Sequence, residues 1–324
     1  MRDRTIDICK GIAILFVYLG HSVIYHPINL MEEYDWCVWF HKFITSFNMP
    51  VFFIISGYLF SFSKKNNKEL FKAKTRRLFI PYLSTMAIVG VAKFVLPSLS
   101  YGFAGDVRSF LIDVFVYGGD RWFVYTLFLM SLFFIPFRRY LINKIINVLF
   151  IIFFLLVWAM GIAPDAFKLD ALVEFSVFFL IGYLVKDYYA CIKTMIKRYY
   201  WAILVLFLLF NVLFVNTLYE IKPLFRFVMP LIGTCFIFGT SDKCSSFSKN
   251  CIVQYMEYCG KYSLQFYLFS FAYPVIRVLV VSKLHIYNPY YIIASVFILQ
   301  LVCITAFVEI TRRIKLLRVP LGYY

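Results

Sequence analysis

Apolar residues gather in blocks of up to twenty-four positions, separated by short polar links. The blocks run approximately over Ile8 to Tyr25, Trp39 to Phe62, Leu78 to Leu96, Trp122 to Phe137, Ile145 to Ile162, Ala171 to Val185, Tyr200 to Leu218, Leu224 to Thr240, Tyr262 to Val281 and Tyr290 to Ile310. At about 1.5 Å of rise per residue, such runs are the length a helix needs to cross a hydrocarbon layer of roughly 30 Å. Strands of a barrel would alternate at every second residue instead. The pattern therefore predicts an all-α, polytopic transmembrane bundle of about ten spans. Ahead of the fourth block, Phe110 to Tyr117 reads as a short amphipathic piece lying in the interface before Gly118 and Gly119, which makes that span the least sharply defined of the ten.

Composition agrees with this picture. Of the 324 residues, 62% are hydrophobic and only 15% charged, where soluble domains carry roughly a quarter charged residues. The formal charge of +16 would suit a nucleic-acid binder, but the basic residues lie in the links rather than on one surface. Positive charge near span ends is held on the cytoplasmic side. With both termini inside, 24 of the 33 lysines and arginines fall on inner ends and links, and the other nine lie outside or near outer ends. The apolar run after Arg2 and Arg4 imitates a signal peptide, but Asp3 and Asp7 are acidic and no small-x-small cleavage site follows, so a retained first span is expected. The eight cysteines form no CxxC pair, which argues against a disulfide framework and against a metal site. No linker or internal repeat divides the chain, and 1–324 reads as a single integral-membrane domain.

Chemistry concentrates first in IDICKGIAILFVYLGHS, which carries Asp7, Lys10 and His21. At 100° per residue these three fall within about 60° of one another on one helix face, with Lys10 and His21 separated by ~16 Å along the axis. An ionisable side chain at such depth is unfavourable unless it faces protein or water, so function is the default reading. The bland reading is a histidine reaching for the outer interface beside Ser22, Tyr25 and His26. A partly desolvated imidazole stays neutral and can act as a general base near pH 7. It can equally take an acyl group itself. A second cluster, Lys74, Arg76 and Arg77 in KAKTRRLFIPYL, suits phosphate groups, because guanidinium forks bind them in bidentate fashion. Ordinary positive-inside anchoring accounts for it as well. In FNMPVFFIISGYLF, Pro50 and Gly57 are expected to interrupt the helix, and Asn48 and Ser56 add polarity that would help line a cavity, while close packing of small residues against a neighbouring helix accounts for the stretch as well.

Taken together these segments resemble the acyltransferase type 3 family of bacterial membrane proteins, in the branch without an appended esterase-like domain. The resemblance rests on Lys10, ten intervening residues and His21 within a DxxKG run; on Met49 to Tyr58; on Lys74 and Arg77 before Pro81-Tyr82; on Trp122-Phe123-Val124; on Phe178 to Tyr183; and on Gly260 to Leu268. Each is weak alone, and their order along a ten-span chain makes the set specific. The resemblance implies transfer of an acyl group, usually acetyl from acetyl-CoA, to a carbohydrate hydroxyl, in the bacterial inner membrane. His21 would be the catalytic residue, with Asp7 and Lys10 on its face as further catalytic candidates, and Lys74, Arg76 and Arg77 would hold the CoA phosphates. Asn48, Ser56, Arg121, Trp122 and Tyr267 are candidates for contact with the glycan acceptor, the last three beside or inside family motifs. Acetyl-CoA is a substrate in this reading, and no permanently bound cofactor or metal is expected. Relatives often carry histidine where this chain has Asn48 and Ser270, neither of which titrates near pH 7. Another acyl donor, such as succinyl-CoA, fits the same fold. A carrier of glycan intermediates is the competing class, and it should show paired interrupted helices in related halves.

Overall fold

A computed structural model describes residues 3–24, 29–95, 106–214, 223–270 and 273–323, and among these every regular element is helical. In chain order the helices are α1 Arg4–His21, α2 Leu30–Glu33, α3 Asp35–Thr45, α4 Asn48–Ser61, α5 Asn67–Lys74, α6 Ile80–Val95, α7 Val107–Ile112, α8 Trp122–Leu141, α9 Lys144–Met160, α10 Leu169–Arg198, α11 Tyr200–Phe214, α12 Pro223–Ser245, α13 Cys251–Lys261, α14 Ser263–Leu268, α15 Tyr273–Val278 and α16 Pro289–Thr311. Four helical stretches among the described residues are long and apolar enough to cross a membrane: Asp35–Ser61, Asn67–Val95, Val107–Leu141 and Pro289–Thr311. Lys144–Met160 and Tyr200–Val212 are shorter and equally apolar. The protein is thus a helical, multi-pass membrane protein. Tyr25 and His26, and the block ends at Leu96 and Leu218, lie outside the described residues.

Proline punctuates the chain. It stands in the first turn of α4 (Pro50), α6 (Pro81), α12 (Pro223), α15 (Pro274) and α16 (Pro289), where its missing N–H is an orphan in any case. Proline is readily placed at such a position, but it does not always end a helix: Pro136 and Pro230 lie inside α8 and α12, and the helical stretch Asn67–Val95 continues through Pro81. The ninth block does not form the continuous span expected over Tyr262 to Val281. It divides into α14, which ends at Leu268, α15 and a π-helical turn over Leu279–Lys283. Gly57 departs from expectation in the other direction, since α4 passes through it unbroken to Ser61. Gly118 and Gly119 do break the chain: both have positive φ, at 76° and 51°, between the π-helical turn Asp113–Tyr117 and α8. Asparagines start other helices, with Asn66 forming a capping box on α5, and Asn143 and Asn250 capping α9 and α13.

The described chain divides into two compact units, one built from Met1–Phe52 with Tyr188–Phe307, the other from Phe53–Asp187 with Val308–Tyr324. Within the first, α1 is the central element and packs against α13, α12, α3 and α14. Its closest approach is to α13: a methyl group on Gly11 would overlap the carbonyl of Met256, and one on Gly260 would overlap the carbonyl of Asp7. Small residues in membrane helices permit this backbone-to-backbone packing. The second unit repeats the device between α4 and α10, where Gly57 meets the Phe179 carbonyl and Gly182 the Ile54 carbonyl. Aromatic stacking fills the space beside that crossing, with Phe53 on Phe175 at 4.4 Å and Phe134 on Phe179 at 5.3 Å between centroids.

Candidate active site

In the first unit the candidate residues are carried by α1, α4 and α14. Asp3 caps α1 by accepting from the Thr5 amide, and Arg4 ties that end to Glu257 at 2.6 Å and to the Ser245 carbonyl at 2.7 Å. Asp7 and Lys10 do share a face, and they form an ion pair at 2.7 Å in which the Asp7 side chain is 7% exposed. His21 is the last residue of the same helix, eleven positions beyond Lys10, so the pair and the imidazole stand about 16 Å apart along α1. The ring of His21 is half-buried, and its Nδ1 is shielded from solvent. One turn before it, the Tyr18 hydroxyl donates to the Phe266 carbonyl at 2.7 Å, fixing this end of α1 against α14. Tyr267, also on α14, is buried, and its carbonyl accepts from the Ser270 hydroxyl at 2.9 Å. Asn48 opens α4 and is buried, and its Oδ1 has no hydrogen-bond partner among the described residues.

In the second unit, Lys74 closes α5, half-buried, with its ammonium 5.4 Å from the centre of the Phe60 ring. Arg76 and Arg77 follow on a π-helical turn over Thr75–Phe79, both exposed, and Lys74 lies within electrostatic reach of Arg77. Pro81 supplies the reason for this turn. In an α-helix the Arg77 carbonyl would receive its N–H from residue 81, and proline has none to give. The helix widens instead, and the Ile80 amide bonds the Thr75 carbonyl five residues back. Such π-turns recur at functional sites. Ser56 is half-buried on α4. Arg121 is only 3% exposed and donates to the Asp120 carbonyl at 2.9 Å, while the Asp120 carboxylate pairs with Lys93 at 3.0 Å. Trp122 stacks on Phe175 at 5.8 Å, joining the aromatic column that Phe175 shares with Phe53.

Two features escaped the sequence reading. The motif glycines 11, 57, 182 and 260 turn out to be crossing points of helix pairs, so four of the six family segments meet two by two. Arg277, counted among the outer-end basic residues, is fully buried, and its Nη1 donates at 2.8 Å to each of the Ser22 and Ile24 carbonyls just beyond His21. The rule that singled out His21, an ionisable residue inside an apolar block, applies equally to Arg277 and would have found it. All described cysteines are free thiols, and no group of three or more metal-ligating side chains occurs among the described residues.

Residues 3–308 match the acyltransferase domain family. Among curated relatives, the nodulation protein NolL of Mesorhizobium japonicum is 24% identical over 215 residues, covering 63% of this chain and 53% of NolL. The glucans biosynthesis protein C of Escherichia coli K12 is 33% identical over 85 residues, covering 26% of this chain and 21% of that protein. The chain thus spans about half the length of one relative and a fifth of the other. No solved structure matches it. A family match that runs through nearly the whole chain, with the family segments paired at two glycine crossings, leads to one conclusion: the chain belongs to the acyltransferase type 3 family.

Proposed function

We propose that this protein is an integral-membrane O-acyltransferase of the bacterial cytoplasmic membrane. It moves an acyl group, acetyl in our reading, from cytoplasmic acyl-CoA to a carbohydrate hydroxyl of a surface polysaccharide or its lipid-linked precursor. The observation that carries this reading is the family match over residues 3–308, and a relative named for glucan biosynthesis supports a glycan acceptor. In the reaction, His21 takes the proton of the acceptor hydroxyl as its oxygen attacks the thioester carbonyl. The tetrahedral intermediate collapses with loss of the CoA thiolate, and the imidazolium returns the proton to that sulfur. Should His21 take the acyl group first, the same atoms balance through an acyl-imidazole that the hydroxyl then opens. Lys74, Arg76 and Arg77 hold the CoA phosphates, and the exposed position of Arg76 and Arg77 suits a ligand arriving from water. Asn48, Ser56, Arg121, Trp122 and Tyr267 are the residues we assign to contact with the acceptor. The Asp7–Lys10 pair lies too far from His21 to exchange a proton with it, and steadies the start of α1 instead.

The test uses detergent-solubilised membranes from a deletion strain complemented with each variant, supplied with [14C]acetyl-CoA and with envelope glycans extracted from the uncomplemented strain. Wild-type membranes are expected to label the glycan, and His21→Ala to lose at least about 100-fold in kcat, the order expected for removing a general base. Lys74→Glu with Arg77→Glu should raise KM for acetyl-CoA with kcat retained. Full transfer by His21→Ala at equal protein level would sink the mechanism. Label from [14C]succinyl-CoA and none from acetyl-CoA would change the donor.

A further inference from the structure

Arg277 sits where a charge is hard to keep. It belongs to α15, in the ninth apolar block, and its side chain is fully buried. Its helix neighbours Ile276 and Val280 belong to an apolar cluster with Val23, Leu30, Cys37, Ile292, Ile293 and Val296. A guanidinium in such surroundings survives by donating hydrogen bonds, which are stronger for the absence of water. Nη1 places two of them, at 2.8 Å each, on the carbonyls of Ser22 and Ile24. Both carbonyls follow the last residue of α1, beyond the described end of the helix. Cations at helix C-termini are favoured there by the dipole as well.

We propose that Arg277 is a positioning residue for His21. This rests on the assignment of His21 to acyl transfer. The two bonds bracket the peptide that begins one residue after His21, so they fix the direction in which α1 ends and hence where the imidazole is presented. Tyr18, three residues before His21, is held by the Phe266 carbonyl. His21 is thus fixed from both sides along the chain. The ninth block supplies both anchors, Phe266 from α14 and Arg277 from α15. A misplacement of the order of 1 Å at a reacting group can lower turnover about 100-fold without changing how the donor binds.

The same helix supplies its own control, because Arg4 clamps the opposite end of α1 to Glu257 and to the Ser245 carbonyl. Arg277→Met, Arg277→Lys, Arg4→Met and His21→Ala are compared in the solubilised-membrane assay, with detergent-phase melting and size-exclusion profiles for each. Arg277→Met should lose about 100-fold in kcat with KM for acetyl-CoA within about twofold. Arg277→Lys, whose ammonium reaches the same carbonyls from a shorter fork, should lose only about tenfold. Arg4→Met should change kcat by less than about threefold, even where its melting point falls as far. Equal kcat losses in Arg277→Met and Arg4→Met would overturn the proposal, as would a raised KM with kcat kept. If Arg277→Met yields no folded protein, Arg277→Lys decides, and an unchanged kcat there overturns the proposal. Inactive His21→Ala beside fully active Arg277→Met removes the positioning role alone; fully active His21→Ala removes the catalytic assignment and this inference with it.

Discussion

Asn48 shows how a single buried atom separates stability from use. Its Oδ1 is buried without a partner among the described residues, a state that is unfavourable by about 1–3 kcal/mol. Replacing it with a group of similar shape and no polarity should therefore leave the fold as stable or more so. Asn48→Leu is expected to keep or raise the melting temperature in detergent and to lower glycan labelling about tenfold, the worth of one hydrogen bond to the acceptor. Full labelling by Asn48→Leu would remove Asn48 from the acceptor path. At this scale the sequence was generous with candidates, since His21, Asp7 and Lys10 announce themselves as charges in an apolar run. It was silent on which of them meet. The Asp7–Lys10 pair could be read from their spacing of three, but the grip of Arg277 on residues 22 and 24 joins positions 255 and 253 apart in the chain.

Helices were legible where local chemistry decides them. Prolines 50, 223, 274 and 289 stand in first turns, and asparagines 66, 143 and 250 cap other helices, all through groups within four residues. Glycine was ambiguous for the same reason. Gly57 and Gly118 look alike in sequence, yet one lies inside an unbroken helix against the Phe179 carbonyl and the other turns the chain with φ at 76°. The difference lies in partners that no local window contains. Gly260→Ala and Gly182→Ala each force a methyl group into a carbonyl of the facing helix, and overpacking of this kind is destabilising by about 1–3 kcal/mol or more. Gly161→Ala meets open space and carries only the strain of its φ of 63°, roughly 1–2 kcal/mol. The first two should lower the melting temperature and the folded yield further than the third; a larger loss from Gly161→Ala would argue that the crossings have room to open.

Across the whole molecule, each unit joins stretches distant in sequence, residues 1–52 with 188–307 and 53–187 with 308–324. Such contacts form late, once most of the chain exists. The order of hydrophobic blocks gave the helices without giving this pairing. It also implied ten crossings, and the broken ninth block is where that count is most open to test. In our reading, green fluorescent protein fused after Asn66, Lys144 or Lys249 should fluoresce, and alkaline phosphatase fused after Asp165 or Tyr287 should be active. An inactive fusion at Tyr287 beside an active one at Asp165 would show that α14 and α15 dip into the bilayer and return. Whatever that outcome, α1 is a rod fastened at its first turn by Arg4, pinned near its middle by the Gly11 and Gly260 crossing, and fastened again at its far end by Tyr18 and Arg277. A beam with three supports has no easy direction of travel. In the proposed reaction the histidine it carries is expected to stay put, so that both reactants travel to reach it.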